Sequence, residues 1–195
     1  KKLEQTANYK DNKIAALAGQ MRCYYLLNDD DACITATQKL LETEKLSSDL
    51  IHETHLYYGR SALRKEDWST AQREFIEVNK VQSGARAAEA KYALAVIEYK
   101  LKNYKQVAKR VAELDNMNPS YDYWLAKAYL VLGDAYVAQG DTFQAKGTFK
   151  SIADNYERNV DDTDDIKAIA SQKYEALIAD ENKVFKKETE TEIPQ

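Results

Sequence analysis

Residues that interrupt helices or crosslink chains are scarce in this sequence. Its 195 residues include only six glycines, two prolines, two cysteines and two histidines. The scarcity of glycine and proline argues against a sheet with many turns, and the abundance of Ala, Leu, Lys, Glu and Gln favours helix. We therefore predict an all-α chain with essentially no strand.

The few cysteines and histidines do not indicate a metal site. Cys23 and Cys33 have no paired histidine or second thiol motif, so they do not make a zinc site. We interpret them as small thiols packed inside one helix pair, with a disulfide only if the hairpin brings their Cβ atoms together. His52 and His55 lack the carboxylate arrangement of a metalloprotease motif. We predict no metal site and no cofactor.

The net charge and the absence of catalytic and ion-binding motifs exclude several classes of function. The net charge is −4 with both signs interspersed, and this argues against nucleic acid as the main ligand. The longest uncharged apolar stretches fall far short of the roughly 20 residues that a membrane span needs. Aspartate runs at residues 29–31 and 161–165 lack the pattern of a calcium loop, and no phosphate loop or GxSxG motif indicates an enzyme. We predict a non-enzymatic protein.

A helix–turn–helix pattern recurs along the chain. Its clearest copy covers residues 126–157, where two short helices flank a turn at Gly140-Asp141. The expected helix crossing is formed by the small residues Gly133 and Ala145 and the large residues Tyr136 and Phe149. Upstream, the turn is matched at residues 102–103, 66–67 and 28–29, with spacings of 38, 36 and 38 residues. Four copies at such spacings are typical of a repeat protein.

The matched positions resemble the tetratricopeptide repeat, a helix–turn–helix of about 34 residues. The fourth copy carries Tyr129, Leu132, Gly133, Tyr136, Ala145 and Phe149; the second carries His55, Tyr58, Gly59, Ala71 and Phe75; the third carries Leu94, Ala95 and Pro119. The first copy is degenerate, with Met21, Cys33 and Thr37, and the third departs at Lys91 and Glu98. The resemblance implies a right-handed α-solenoid of antiparallel helix pairs, and we expect ten helices.

We predict one superhelical domain over residues 1–183. Its parts are the end of a preceding repeat (1–11), four repeats (14–47, 48–84, 85–120 and 121–159), a capping helix (164–183) and then a polar tail (184–195). In such arrays each unit buries its apolar stripe only against its neighbours, so stability is shared along the chain.

In this family the first helix of each pair lines a concave groove that binds a partner. Counting from the crossing residues, the candidate groove residues are Arg22, Tyr25, Leu56, Arg60, Arg64, Tyr92, Tyr99 and Lys127. Tyrosine and arginine offer large contact areas with polar tips, and the spacing of Arg60 and Arg64 suits a forked carboxylate. Two alternatives stay open: the arginines are solvated surface charges, and the tyrosines pack between adjacent units.

Two functions remain open at this stage. One is a protein-interaction scaffold that binds a partner segment in the groove; the other is a structural spacer or self-association segment that stacks through its truncated N-terminal repeat. The chain also resembles the C-terminal repeat arrays of large bacterial cell-envelope proteins of this family, closely so in residues 13–23, 122–146 and 154–157. That resemblance implies a periplasmic or outer-membrane-associated protein. Since the sequence starts at Lys1 without methionine or a signal sequence, we expect an excised or processed fragment.

Overall fold

The chain is helical throughout the part that the structure describes. A computed structural model describes residues 2–81 and 83–191, with the side chains of residues 10–81 and 83–183. Within those ranges it has no strand and nine α-helices: α1 Lys2–Leu26, α2 Asp30–Leu41, α3 Ser48–Arg64, α4 Trp68–Asn79, α5 Ala85–Lys100, α6 Tyr104–Asp115, α7 Asp122–Ala138, α8 Thr142–Asn155 and α9 Ile166–Thr191. The predicted all-α fold of consecutive helix pairs is confirmed.

The described part of the chain has nine helices where the sequence pattern predicts ten. The difference lies at the start, where the pattern places the end of one helix at residue 11 and a new helix from Ile14. Instead α1 runs without a break from Lys2 to Leu26. No proline lies in this stretch and its first glycine is Gly19, so no strong stop signal separates the two predicted segments. Lys1 lies outside the described residues.

The last helix is longer than the predicted capping helix. It begins after Asp165, whose side chain accepts a hydrogen bond from the backbone N–H of Ala168 at 3.1 Å, and it continues to Thr191. Lysines and glutamates after residue 183 are good helix formers, which explains why the helix enters the segment predicted as a polar tail. Residues 192–195 of that tail lie outside the described residues.

Packing divides the chain into two units, residues 1–97 and 98–195. In the first unit, α1 and α2 pack through Leu17, Ala18, Met21, Cys33, Ala36 and Leu40. Helices α3, α4 and α5 pack through Leu56, Ala62, Ala71, Phe75, Val78, Ala90, Ala93, Leu94 and Ile97. In the second unit, α7, α8 and α9 pack through Ala126, Leu130, Ala145, Phe149, Ile152, Tyr156, Ile166 and Ala170. Helix pairs in each unit therefore bury their apolar sides against the next helix, as repeat packing requires.

The four hairpin turns share one backbone geometry. A positive φ occurs at the first residue of each matched turn: Asn28 (58°), Glu66 (58°), Lys102 (61°) and Gly140 (78°). The following residue is the N-cap of the second helix: Asp29, Asp67, Asn103 and Asp141. Each aspartate accepts a hydrogen bond from the backbone N–H three residues further on, whereas Asn103 makes no such bond. The common geometry confirms the turns that the spacing predicts.

Glycine at position 66 is expected to stabilise the second hairpin. A left-handed conformation disfavours a residue with a Cβ atom by about 1–2 kcal/mol, whereas glycine carries an entropic penalty of about 0.5–1 kcal/mol. We expect Glu66→Gly to raise the free energy of unfolding by about 0.5–1 kcal/mol in urea denaturation. The control is Lys65→Gly, one residue earlier at φ −79°, which should lower it. A loss of stability in Glu66→Gly would contradict this account.

Residues of complementary size occupy the predicted helix crossings. The positions are 16 residues apart in every copy: Met21 and Thr37, Gly59 and Phe75, Ala95 and Val111, Gly133 and Phe149. All of them are buried. A Cβ atom on Gly133 would lie 2.4 Å from Cε1 of Phe149, and one on Gly59 would lie 3.1 Å from Cζ of Phe75. In these two hairpins the phenyl ring occupies the space that a side chain on the first helix would need.

Candidate partner-binding surfaces

Four predicted or neighbouring side chains form a tyrosine–arginine cluster in the first unit: Tyr25, Tyr57, Arg60 and Arg64. The rings of Tyr25 and Tyr57 meet edge to face, with centroids 5.0 Å apart. The Arg60 guanidinium lies 5.5 Å from the centroid of Tyr25 and 5.4 Å from that of Tyr57, and Arg64 lies 4.1 Å from that of Tyr25. These separations are within the range of cation–π attraction.

Helix periodicity explains how the cluster assembles. Tyr57, Arg60 and Arg64 are spaced by three and four residues on α3, so they share one face of that helix. Tyr25 lies near the C-terminal end of α1, which packs against α3. Tyr57 is not among the predicted groove residues, although its i, i+3 spacing from Arg60 is a signal that identifies it.

Two of the predicted groove arginines already bind carboxylates of a neighbouring helix. Arg60 donates from Nε and Nη2 to the two carboxylate oxygens of Glu89, each at 2.5 Å. Arg22 binds Glu53 in the same bidentate way, with both distances 2.7 Å. Burial, the largest single effect, acts to lower the pKa of Arg60, but the hydrogen bond to Glu89, the charge of Glu89 and the nearby Tyr25 and Tyr57 together hold that pKa above its ordinary value. Such paired forks are strong and directional.

Arg64 ties the cluster to the first hairpin turn. Its guanidinium donates to Oδ1 of Asp30 at 2.9 and 2.5 Å, to Oδ1 of Asn28 at 2.6 Å and to the backbone carbonyl of Tyr25 at 3.2 Å. Arg60 and Arg64 each bind a different carboxylate within the chain, so both have an ion-pair partner in the fold. The shared carboxylate of a bound partner, which their spacing suits, stays a prediction.

The other predicted groove residues are distributed between the core and the partly exposed surface. Leu56 is only 4% exposed and belongs to the core of α3, α4 and α5, so placing it in the groove was wrong by one position along the helix. Tyr92 is half-buried in the first unit. Tyr99 is half-buried in the second, where its ring lies 6.1 Å from that of Tyr104 and burial raises the pKa of its phenol.

Lys127 joins α7 to the segment that precedes α9. Its Nζ atom donates to Asp164 at 2.6 Å and lies 5.1 Å from the ring of Tyr123 and 5.4 Å from that of Trp124. The Tyr123 hydroxyl donates to the same carboxylate at 2.8 Å. Hydrogen bonds from Lys127 and then Tyr123 hold the pKa of Asp164 below its ordinary value. Much of the binding capacity of Lys127 is therefore used within the unit.

The helix pair that carries Gly133 and Phe149 is the part of the chain that matches a known family. Residues 123–158, which include most of α7 and all of α8, match the family model of the tetratricopeptide repeat. This helix pair is similar to a tetratricopeptide repeat. No curated protein gives a significant match to its sequence. In the described part of the chain, every helix is too short or too polar to cross a membrane.

His55 and Cys33 lie in packed parts of the first unit, whereas Cys23 is exposed. Nδ1 of His55 lies 2.7 Å from Oε2 of Glu74, a buried carboxylate. Among the described residues, no three His, Cys, Asp or Glu side chains come together as metal ligands would. Cys33 is buried, and burial raises the pKa of its thiol. Cys23 is exposed and unbonded, so its predicted place inside the helix pair was wrong; it lies two residues beyond the buried Met21, on the other side of α1.

A cleft of about 400 Å³ opens between α7 and α8 of the matched repeat. Leu125, Ala126 and Ile152 contribute apolar wall, and Asp122 is the single acidic residue of its lining. No histidine, cysteine, lysine or arginine lines it. The cleft therefore offers shape and apolar contact rather than an acid–base pair.

The buried phenol of Tyr156, which lines this cleft, makes stability sensitive to alkali. The Tyr156 hydroxyl donates to Oδ2 of Asp162 at 2.5 Å; burial first, and then this bond, raise the pKa of Tyr156 above its ordinary value. The stabilisation is fully present below the unfolded pKa of about 10 and is lost as pH rises through the folded pKa. We expect the unfolding free energy of the wild type to fall above that pH more steeply than that of Tyr156→Phe. Parallel curves in urea denaturation at several pH values would contradict it.

Proposed function

We propose that this chain is a non-enzymatic protein-interaction module and that the tyrosine–arginine cluster binds a segment of the partner. Tetratricopeptide repeats generally mediate contacts between proteins. The observation that supports this cluster as the contact is its combination of two tyrosine rings with two guanidinium groups on one partly exposed surface. Tyrosine and arginine are enriched among the residues that dominate binding energy.

The cluster is held in place before any partner arrives. Glu53, Glu89 and Asp30 are 12–16% exposed, whereas their arginine partners are 26–47% exposed. The carboxylates therefore lie behind the guanidinium groups and fix their orientation. The pair with Glu89 uses Nε and Nη2 of Arg60, so the donors of Nη1 are not used by it. A preorganised donor reduces the entropy lost on binding, and its chemistry suits a backbone carbonyl or carboxylate of the partner.

A specific observation also favours the second candidate, a structural spacer or self-association segment. Arg22 and Arg60 each bridge one first helix to the next, from α1 to α3 and from α3 to α5. Such pairs stiffen an array whether or not a partner binds. In this proposal the chain connects or stacks with other repeats; light scattering that finds a strict monomer at high concentration would argue against stacking. A bacterial cell-envelope location remains a proposal on resemblance alone.

The two candidates are separated by exchanging the charges of one pair. The double variant Arg60→Glu/Glu89→Arg keeps an internal pair but removes the guanidinium from position 60. The matched control is Lys80→Glu/Glu77→Lys, which exchanges a more exposed pair at the C-terminal end of α4. If the cluster binds the partner, the first variant loses the partner in pull-downs while the control keeps it and both unfold at similar temperatures. If both variants retain the partner, the cluster is not the contact.

A further inference from the structure

Four lysines around the third hairpin turn have no ion-pair partner among the described side chains. Lys100, Lys102, Lys105 and Lys109 are all exposed. The sequence from residue 99 to residue 112 contains no Asp or Glu, although the whole chain is acidic. At the second turn, by contrast, Lys65 donates to Oδ1 of Asp31 at 2.7 Å. The positive charge at the third turn is therefore not neutralised locally.

The fold does not explain this concentration of charge. In the other three hairpins an aspartate caps the second helix, whereas Asn103 makes no capping bond and its amide donates to Glu98 at 3.1 Å instead. Lys105 lies in the first turn of α6, near the positive end of the helix dipole, where an acidic residue is favoured. Because a lysine in the first turn of α6 does not stabilise the helix, its presence there indicates a role other than folding.

The lysines are accessible at and beside the third turn. Lys105 and Lys109 are one turn apart on α6, with the exposed Ala108 and Ala112 on the same face; the opposite face carries the buried Val107, Val111 and Leu114. At the turn, Leu101 is 43% exposed between Lys100 and Lys102. We call this surface, formed by Lys100, Leu101, Lys102, Lys105 and Lys109, the basic tip.

We propose that the basic tip binds an acidic segment of a partner protein, one that carries glutamates or aspartates beside an apolar residue. Opposite charges steer such an encounter and fix its register, and Leu101 supplies the apolar contact. Nucleic acid fits less well, because the net charge of −4 repels an extended polyanion and the aromatic rings beside the tip, Tyr99 and Tyr104, are half-buried against each other. A membrane surface fits less well because Leu101 is the one large apolar side chain exposed among the described residues of the tip.

The test uses a fluorescein-labelled peptide in which glutamates flank a single leucine, with fluorescence anisotropy as the readout. The charge variant is Lys102→Glu/Lys105→Glu/Lys109→Glu. Its matched control is Lys13→Glu/Lys39→Glu/Lys167→Glu, which reverses three exposed lysines elsewhere and gives the same net charge. We expect the charge variant to bind about tenfold or more weakly than the wild type, and the control to stay within about twofold.

Folding and competing ligands are measured in the same series. Glutamate in the first turn of α6 is favourable for the helix, so the charge variant should unfold at a temperature no lower than that of the control. The proposal is overturned if both variants lose binding equally, if the wild type does not bind the peptide at low salt, or if it binds a labelled single-stranded oligonucleotide or phosphatidylserine vesicles more tightly. Failure of the Arg60/Glu89 exchange has no bearing on this surface, so the two proposals are tested separately.

Discussion

Gly133→Leu is expected to lower the free energy of unfolding by about 3 kcal/mol. Even a single Cβ atom would lie 2.4 Å from the ring of Phe149, which is buried with 1% of its surface exposed. A larger side chain forces α7 and α8 apart or drives the ring from its rotamer. Each kcal/mol corresponds to about 2–4 °C in Tm for a chain of this size. Thermal unfolding followed by circular dichroism provides the measurement.

Alanine at the other glycines provides a graded set of controls. Nothing lies within 4 Å of a Cβ atom built on Gly19 or Gly147; alanine there should stabilise the helix by about 0.5–1 kcal/mol. At Gly59 the nearest ring atom is 3.1 Å away, and the helical preference of alanine should roughly offset the crowding. Gly133→Ala should be the least stable of the four. Any other order of stability would show that crowding against the phenylalanine ring does not determine the effect of alanine at these positions.

A second substitution at the same crossing separates crowding from other causes. In the third copy, alanine and valine stand where the fourth has glycine and phenylalanine. Phe149→Val alone leaves a cavity and should destabilise the fold. The double variant Gly133→Ala/Phe149→Val should lose about 1 kcal/mol less unfolding free energy than the sum of the two single variants. The smaller valine relieves the crowding at position 133, and the added methyl group fills part of the cavity at position 149. Strict additivity would show that the two positions are independent.

His55→Leu is the second change with a large expected effect, about 2–3 kcal/mol of destabilisation. Glu74 is 3% exposed, and its described partners are His55 at 2.7 Å and Arg73 at 2.9 Å. Removing the histidine leaves one carboxylate oxygen buried without that partner, and a buried polar group without its bond is costly. Urea denaturation of the variant and the wild type measures the difference.

Two further variants show whether the buried contact is responsible. His52→Leu changes the other histidine of α3, which has no bond to Glu74, and should alter stability by less than about 0.5 kcal/mol. His55→Leu/Glu74→Leu removes both partners and should recover much of the loss, since replacing a buried pair by apolar groups is often neutral. If the double variant is less stable than His55→Leu, the unpaired carboxylate is not the cause.

The turns and crossings were predictable because they depend on local rules. Each turn depends on two adjacent residues, one with positive φ and then the N-cap of the next helix. The 16-residue separation of Gly133 and Phe149 follows from the fixed pitch of the two helices on either side of that turn. Even the degenerate first copy keeps Met21, Cys33 and Thr37 fully buried. Such features need no knowledge of distant parts of the chain.

The internal ion pairs were not predictable, because they depend on which helix faces which. Glu89 lies 29 residues from Arg60, and nothing local distinguishes it from other glutamates. Leu56 was predicted to lie on the accessible face of α3, but its neighbour Tyr57 is the partly exposed residue. One residue corresponds to about 100° around a helix, so a small error in register changes which side chain is accessible. The lysines of the basic tip can be read from the sequence. Their lack of ion-pair partners among the described side chains can be established only from the positions of the surrounding carboxylates in the structure.

The complementary side-chain sizes at the helix crossings have a consequence for sequence evolution and for protein engineering. Because Gly133 and Phe149 share one volume between two helices, neither can be replaced freely while the other stays. Tolerated changes should therefore arrive as coupled pairs, or through an intermediate that survives on spare stability. A chimera that transplants a complete hairpin carries its own matched pair and should fold, whereas one joined within the Gly140 turn would bring together mismatched halves.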